Sequence, residues 1–209
     1  MIETTKNKTI VKLEKQLFAL KKKLAGARQK IGRRLVEDYK LSNSDSRTVR
    51  LSELFGNKNE LIVIFNMGSS CPYCTLWADG FNGMLAHLEN RAALVVASPD
   101  DPETQRKFAQ SRGWGFRMIS HQGTSFRKEM GFEDKKGNPW PGASTFQKDK
   151  KGRIYHIASA GFGPGDDYCS AWSLFDLLPG GAKGWGPKFG YHDTITANKQ
   201  QQTLESATA

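Results

Sequence analysis

The amino-acid sequence predicts a mixed α/β fold: a central sheet with parallel strands and an antiparallel edge hairpin, flanked by helices and preceded by a long basic amphipathic helix. Three observations carry this. Glu60 to Phe65 and Ala92 to Ser98 are short, continuous β-branched runs of the kind buried on both faces of a parallel sheet, and helical spacing follows each. Ala143 to Gln147 and Arg153 to Ala158 are joined by the turn-rich KDKKG, the pattern of a hairpin. From Thr9 to about Lys30 the residues Ile10, Leu13, Leu17, Leu20, Leu24, Ala27 and Ile31 recur three and four apart. The order strand, helix, strand, helix, hairpin, helix belongs to the α/β class.

Taken in order, the N-terminal helix has Thr9 as its expected N-cap, while Lys12, Lys15, Lys21, Lys22, Lys23, Arg28 and Lys30 fall outside its apolar seam. An isolated helix of this length is marginal, so the seam must pack on the protein's own body or on a second subunit, giving a homodimer. Asn43 to Arg47 is a polar linker, and Thr48 to Phe55 alternates before turning helical. The helix opening at Pro72 carries Trp77, Phe81, Met84, Leu85 and Leu88 as a core stripe, and Gly80 and Gly83 predict a kink or close backbone packing. Asp100, Asp101 and Pro102 open a helix reaching Arg112. Phe116 to Ser120 reads as a short strand and Ser125 to Met130 as a helical turn. Asp166 to Leu178 is expected to close the fold as a helix, stopped by Pro179-Gly180-Gly181. Residues from Asn198 onward are polar and expected to be disordered. The domains are thus a helical extension over 1–40, a body over 41–192 and a tail over 193–209.

The chain has 209 residues and a formal charge of +10, but the charge is uneven. Residues 1–40 hold 12 lysines and arginines against 4 acidic residues, whereas the remainder holds 19 against 17. Basicity therefore belongs to the N-terminal helix, where a solvated face explains it, and no nucleic-acid partner is expected. No apolar run reaches the roughly 18 residues of a membrane span. The first residues lack the apolar stretch of a signal peptide, so no membrane association and a cytoplasmic location are expected. Three cysteines, two in one CxxC, argue for thiol chemistry or metal binding in a reducing compartment rather than for a disulfide scaffold.

The stretch Ile62 to Leu88 concentrates that chemistry: a buried strand, then Cys71-Pro72-Tyr73-Cys74, then the helix. Pro72 suits the first helical position, which makes Cys71 the N-cap. A sulfur there accepts hydrogen bonds from free N–H groups and meets the positive end of the helix dipole, and both favour thiolate. Cys74, one turn on, is the expected buried resolving thiol. A CxxC at the end of a central strand and the start of a helix is the thioredoxin arrangement.

The segments VEDYKL, LIVIFNMGSSCPYCTLWADGFNG, SRGWGFRMIS and GFGPGDDYCSAWSLFDLLPGG resemble the family catalogued as domain of unknown function 899, thioredoxin-like proteins presumed to be dithiol-disulfide oxidoreductases. The resemblance runs from the N-terminal helix to about Tyr191. It implies that Cys71 attacks a disulfide or oxidised thiol of a protein or small molecule and that Cys74 resolves the mixed disulfide, with no cofactor. Pro72 and Tyr73, the dipeptide of glutaredoxins, would face the substrate and imply a potential of about −200 to −230 mV.

Three departures stand against that pattern. Phe65 occupies the place of the buried carboxylate that thioredoxins keep six residues before the first cysteine, and Asp79 lies two helical turns beyond Cys71, a structural or surface residue rather than a base. Counting back from Phe146, Ala143 stands where thioredoxins place a cis-proline, so the backbone of Ala143 and Ser144 is the expected substrate-pairing edge. Ile64 and Gly68 stand where the peroxiredoxin pattern Pro-x-x-x-Thr/Ser-x-x-Cys requires proline and a hydroxyl, which argues against that mechanism. Cys169, beside Tyr168, reads as buried core. Two alternatives remain: a zinc or copper site completed by Cys169 with His87, His121, His156 or His192, and a redox-inactive interaction module working through the N-terminal helix.

Overall fold

A computed structural model describes residues 7–191, so the tail from 193 and His192 lie outside the described residues. The first helix, α1 (Lys8–Lys30), is capped by Asn7 rather than Thr9. The Asn7 side chain accepts from the N–H groups of Thr9 at 3.0 Å and Ile10 at 3.2 Å, and asparagine is the stronger N-cap residue. None of its residues is buried, and Leu13, Leu17, Leu20 and Leu24 stay 50–61% exposed. The protein's own body therefore leaves the seam uncovered. Lys21 pairs with Asp167 at 2.5 Å, but the side chains are 48% and 62% exposed, so the tether is weak.

Two short strands follow that the sequence pattern does not announce, β1 (Arg34–Val36) and β2 (Lys40–Asn43). Next come β3 (Thr48–Arg50), a 3-10 helix at Leu51–Phe55 and β4 (Glu60–Phe65). The helix after the CxxC is divided into α2 (Pro72–Gly83) and α3 (Leu85–Arg91) at Met84, whose φ of −107° and ψ of 7° leave the helical region. The kink expected from Gly80 and Gly83 is thus a full break. Then come β5 (Ala93–Ser98), α4 (Pro102–Arg112), β6 (Arg117–Ser120), α5 (Phe126–Glu129), β7 (Gly142–Lys148), β8 (Ile154–Gly161) and α6 (Ser170–Phe175). The last helix is shorter than its apolar spacing suggests. Asp166 accepts the N–H groups of Gly163, Tyr168 and Cys169, which closes a loop where a helix would otherwise begin.

The strands form one sheet in the order β1-β8-β7-β4-β5-β6-β2-β3. β4, β5 and β6 are parallel, β7 runs antiparallel beside β4 and β8 antiparallel beside β7, and β1 on β8 draws residues 34–36 into the sheet. β4 is central because it has no polar face: Leu61, Val63 and Phe65 enter one core with the 3-10 helix and α5, while Ile62 and Ile64 enter the other with α2, α4 and α6. Fully burying each such side chain is worth about 1.5–3 kcal/mol.

α4 is pinned across two strands by one polar residue. Gln105, 1% exposed, donates through Nε2 to the Ser98 hydroxyl at 2.8 Å and the Ile119 carbonyl at 2.9 Å. Replacing it by leucine removes both bonds and is expected to cost about 1–3 kcal/mol in urea unfolding. No residue of α1 is buried, so deleting residues 1–30 should change the unfolding free energy of the body by less than about 1 kcal/mol.

Candidate functional site

The site lies beyond the C-terminal ends of β4 and β5, the edge of a parallel sheet where ligands collect. As β4 ends, Asn66 donates its N–H to the Ala97 carbonyl at 2.8 Å, and its side chain accepts from the Gly68 N–H at 2.8 Å. Gly68 has φ +111°, and a Cβ there would stand 2.9 Å from the Asp100 carboxylate, so glycine is required twice over. Asp100, just beyond β5, accepts the Ser69 N–H at 2.7 Å. Both strand ends thus hold the loop that presents Cys71.

Cys71 is extended at φ −99° and ψ 105° and is the N-cap of α2, with Pro72 at the first helical position as the sequence predicts. Its sulfur accepts the Cys74 N–H at 3.1 Å. Its pKa is drawn down from 9.0 to about 7, chiefly by a hydrogen bond from the Cys74 thiol and further by the N–H groups of Cys74 and Tyr73, against partial burial. The Cys74 thiol is pushed strongly upward by that same hydrogen bond, by burial and by the neighbouring charge, and its sulfur accepts from the Met67 N–H at 3.4 Å. Cys71 is 9% exposed and Cys74 4%. The two sulfurs are thus unequal, with the thiolate favoured at Cys71 and the thiol at Cys74.

The remaining expectations divide. Phe65 stacks on Phe132 with ring centroids 4.4 Å apart, so an apolar pair fills the place where a carboxylate would serve. Asp79 is structural: Arg112, whose side chain is 8% exposed, pairs with it, and Trp114 donates to it at 2.8 Å. Tyr73 stays beside the thiols, its ring against Trp77 and Trp172.

Ala143 and Ser144 are placed elsewhere. The β7 register sets Ala143 opposite Ile64 and Ser144 opposite Val63, inside the sheet, where Ser144 is fully buried and hydrogen-bonded to Ser159 at 2.7 Å. The segment that reaches the dithiol end is Pro139-Trp140-Pro141, two residues short of Ala143. It lines a cleft of about 420 Å³ with Met67, Tyr73, Trp77 and Phe162. Gly142 allows this approach, since a Cβ there would strike the Phe132 ring and the Ala160 carbonyl. All peptide bonds of the described residues are trans. The Asn-Pro-Trp-Pro-Gly run was the available signal, though its place in the cleft depends on strand register.

Cys169 is 9% exposed among aromatic side chains, and burial raises its pKa. Among the described residues no group of three or more histidine, cysteine or carboxylate side chains gathers, so the described candidates Cys169, His87, His121 and His156 do not complete a metal site with Cys71 and Cys74. His121 is instead buried, and burial lowers its pKa to about 4. No helix of the described residues is long and apolar enough to cross a membrane.

Known proteins give this arrangement its relatives. The chain is similar to chloroplastic peroxiredoxin Q of Populus jackii, 31% identical over 127 residues, covering 60% of this chain and 59% of that protein. It is likewise similar to chloroplastic peroxiredoxin Q of Triticum aestivum, 29% identical over 128 residues, covering 61% and 58%. The chain thus spans less than two thirds of the length of these relatives. The crystal structure of peroxidoxin BcpB from Mycobacterium tuberculosis matches with 25% identity and a TM-score of 0.50, covering 62% of this chain and 84% of that one. The fold is thioredoxin-like, as the sheet order and this likeness show. Residues 4–196 match the family described as bacterial protein of unknown function DUF899, and the chain belongs to that family.

Proposed function

We propose that this protein is a thiol-disulfide oxidoreductase in which Cys71 is the nucleophile and Cys74 the resolving thiol. The observation that carries the reading is the pair itself, an N-cap sulfur with its pKa near 7 that receives a hydrogen bond from a buried, protonated partner. The Cys71 thiolate attacks one sulfur of a substrate disulfide, forming a mixed disulfide and expelling a thiolate. Once Cys71 is bonded and uncharged, Cys74 loses the anion that held its proton. Phe65 offers no base, so the expelled thiolate is the acceptor at hand for that proton. The Cys74 thiolate then attacks Cys71, closing the protein disulfide and releasing the second substrate thiolate, which takes a proton from water. Two electrons pass from protein to substrate, and an external reductant reverses the cycle.

The relatives' names raise peroxide reduction as a second reading. It lacks its usual residues: the proline and hydroxyl positions counted from Cys71 are Ile64 and Gly68, and counted from Cys74 they are Met67 and Cys71. Trapping of a Cys71 sulfenic acid by hydrogen peroxide at rates well above those of a free thiol would favour it. Association of two chains through α1 rests on its uncovered seam alone, and sedimentation of the full chain tests it: a single monomer-sized species removes it. A cytoplasmic setting, where thiols stay reduced, suits the dithiol form.

The alkylation rate of Cys71 should rise with pH through a midpoint near 7 and level off above it, because only the thiolate reacts. Cys74→Ala removes the principal hydrogen-bond donor and should move the midpoint up toward 9, whereas Cys74→Ser keeps a donor and should hold it lower. Titration in glutathione or dithiothreitol buffers, with alkylated thiols counted by mass, should show a reversible Cys71–Cys74 disulfide at about −200 to −230 mV. Two slow thiols that never pair would remove the proposal.

A further inference from the structure

The cleft beside the dithiol is built unlike a glutathione site. Its walls are the rings of Tyr73, Trp77, Trp140 and Phe162 with Pro139 and Pro141, and Trp140 is 56% exposed at its mouth. Among the described residues no lysine, arginine or histidine lines it, and the one charged residue there is Asp134, held by the Lys136 and Asn138 N–H groups at 2.7 Å and 2.8 Å. The cleft adjoins the thiols through two of its lining residues: Tyr73 lies between them in the chain, and the Met67 N–H donates to the Cys74 sulfur.

Backbone N–H donors are closed off along the same segment. Pro139 and Pro141 have no N–H, and the Trp140 N–H is donated to the Phe132 carbonyl at 2.9 Å, while the Pro141 carbonyl accepts from Phe162 at 3.0 Å. An incoming strand finds no donor there. Recognition falls to the rings, which take apolar and aromatic side chains.

We infer that this cleft selects polypeptide disulfides whose cysteine is flanked by uncharged aromatic or aliphatic residues, and disfavours glutathione disulfide. Each glutathione half carries two carboxylates, which would meet no cation and face Asp134. The inference rests on the thiol-disulfide reading of Cys71 and Cys74. The exchange is the same: the peptide disulfide is reduced to two thiols as the Cys71–Cys74 disulfide forms.

The test compares reduced full-length protein against two oxidants, glutathione disulfide and the disulfide-linked dimer of acetyl-Phe-Cys-Phe-amide. Each rate is divided by that of free dithiothreitol to remove intrinsic reactivity. The normalised peptide rate should exceed the glutathione rate by about tenfold or more, and Trp140→Ala should lower that ratio severalfold. Trp140→Arg should lower it further by admitting glutathione. A ratio at or below one, or one that neither variant moves, overturns the inference. If neither disulfide oxidises the protein, the dithiol reading fails by itself. Calorimetry with the redox-inert acetyl-Phe-Ser-Phe-amide then decides the cleft: binding weakened by Trp140→Ala upholds it, and no binding overturns it.

Discussion

The whole arrangement hangs on β4, a six-residue strand hydrogen-bonded on both edges and buried on both faces. Its parallel pairing with β5 brings the ends of both strands together, so Asn66 and Asp100 can hold one loop from two sides. Its antiparallel pairing with β7 carries Pro141 and Trp140 to the same end of the sheet. A shift of one residue in either register would turn the apolar side chains onto the wrong face and move the cleft away from the thiols.

What β4 delivers is an electrostatic asymmetry. Two chemically identical thiols stand one helical turn apart, yet Cys71 gains N–H groups and an S–H donor while Cys74 gains burial and a neighbouring anion. The N-cap position alone favours the Cys71 thiolate; the shared proton widens the difference. The Phe65–Phe132 stack puts rings, and no carboxylate, at the position six residues before Cys71.

The surroundings of the dithiol change the meaning of its motif. The Pro-Tyr dipeptide points toward glutaredoxin-like chemistry, whereas the cleft is aromatic and has no cation among its described lining residues. The residues that give the cleft this character lie far from the two sulfurs in the chain, about seventy positions on at Pro139 to Pro141 and about ninety at Phe162. α1 stands apart from all of this. Its seam is present as a pattern and uncovered as a surface, so its contribution to the stability of the body is small.

The local sequence by itself determined β4 and β5, the Asp101-capped helix α4, the β7–β8 hairpin and the placement of Cys71 as an N-cap before Pro72, because each is written in neighbouring residues as periodicity, capping or a proline. Apolar spacing overstated α6, where Asp166 holds the preceding backbone in a loop. β1 and β2 are not written in the local sequence, because strands of three or four residues carry no period of their own and exist through their partners β8, β3 and β6. Only the tertiary structure decided that Asp79 answers Arg112, that Ala143 sits opposite Ile64 while Pro141 reaches the cleft, and that burial and the neighbouring sulfur favour the thiol at Cys74. The first two depend on register and packing between residues distant in the chain, and the third on burial and sub-ångström placement of two sulfurs, neither of which spacing along a sequence can specify.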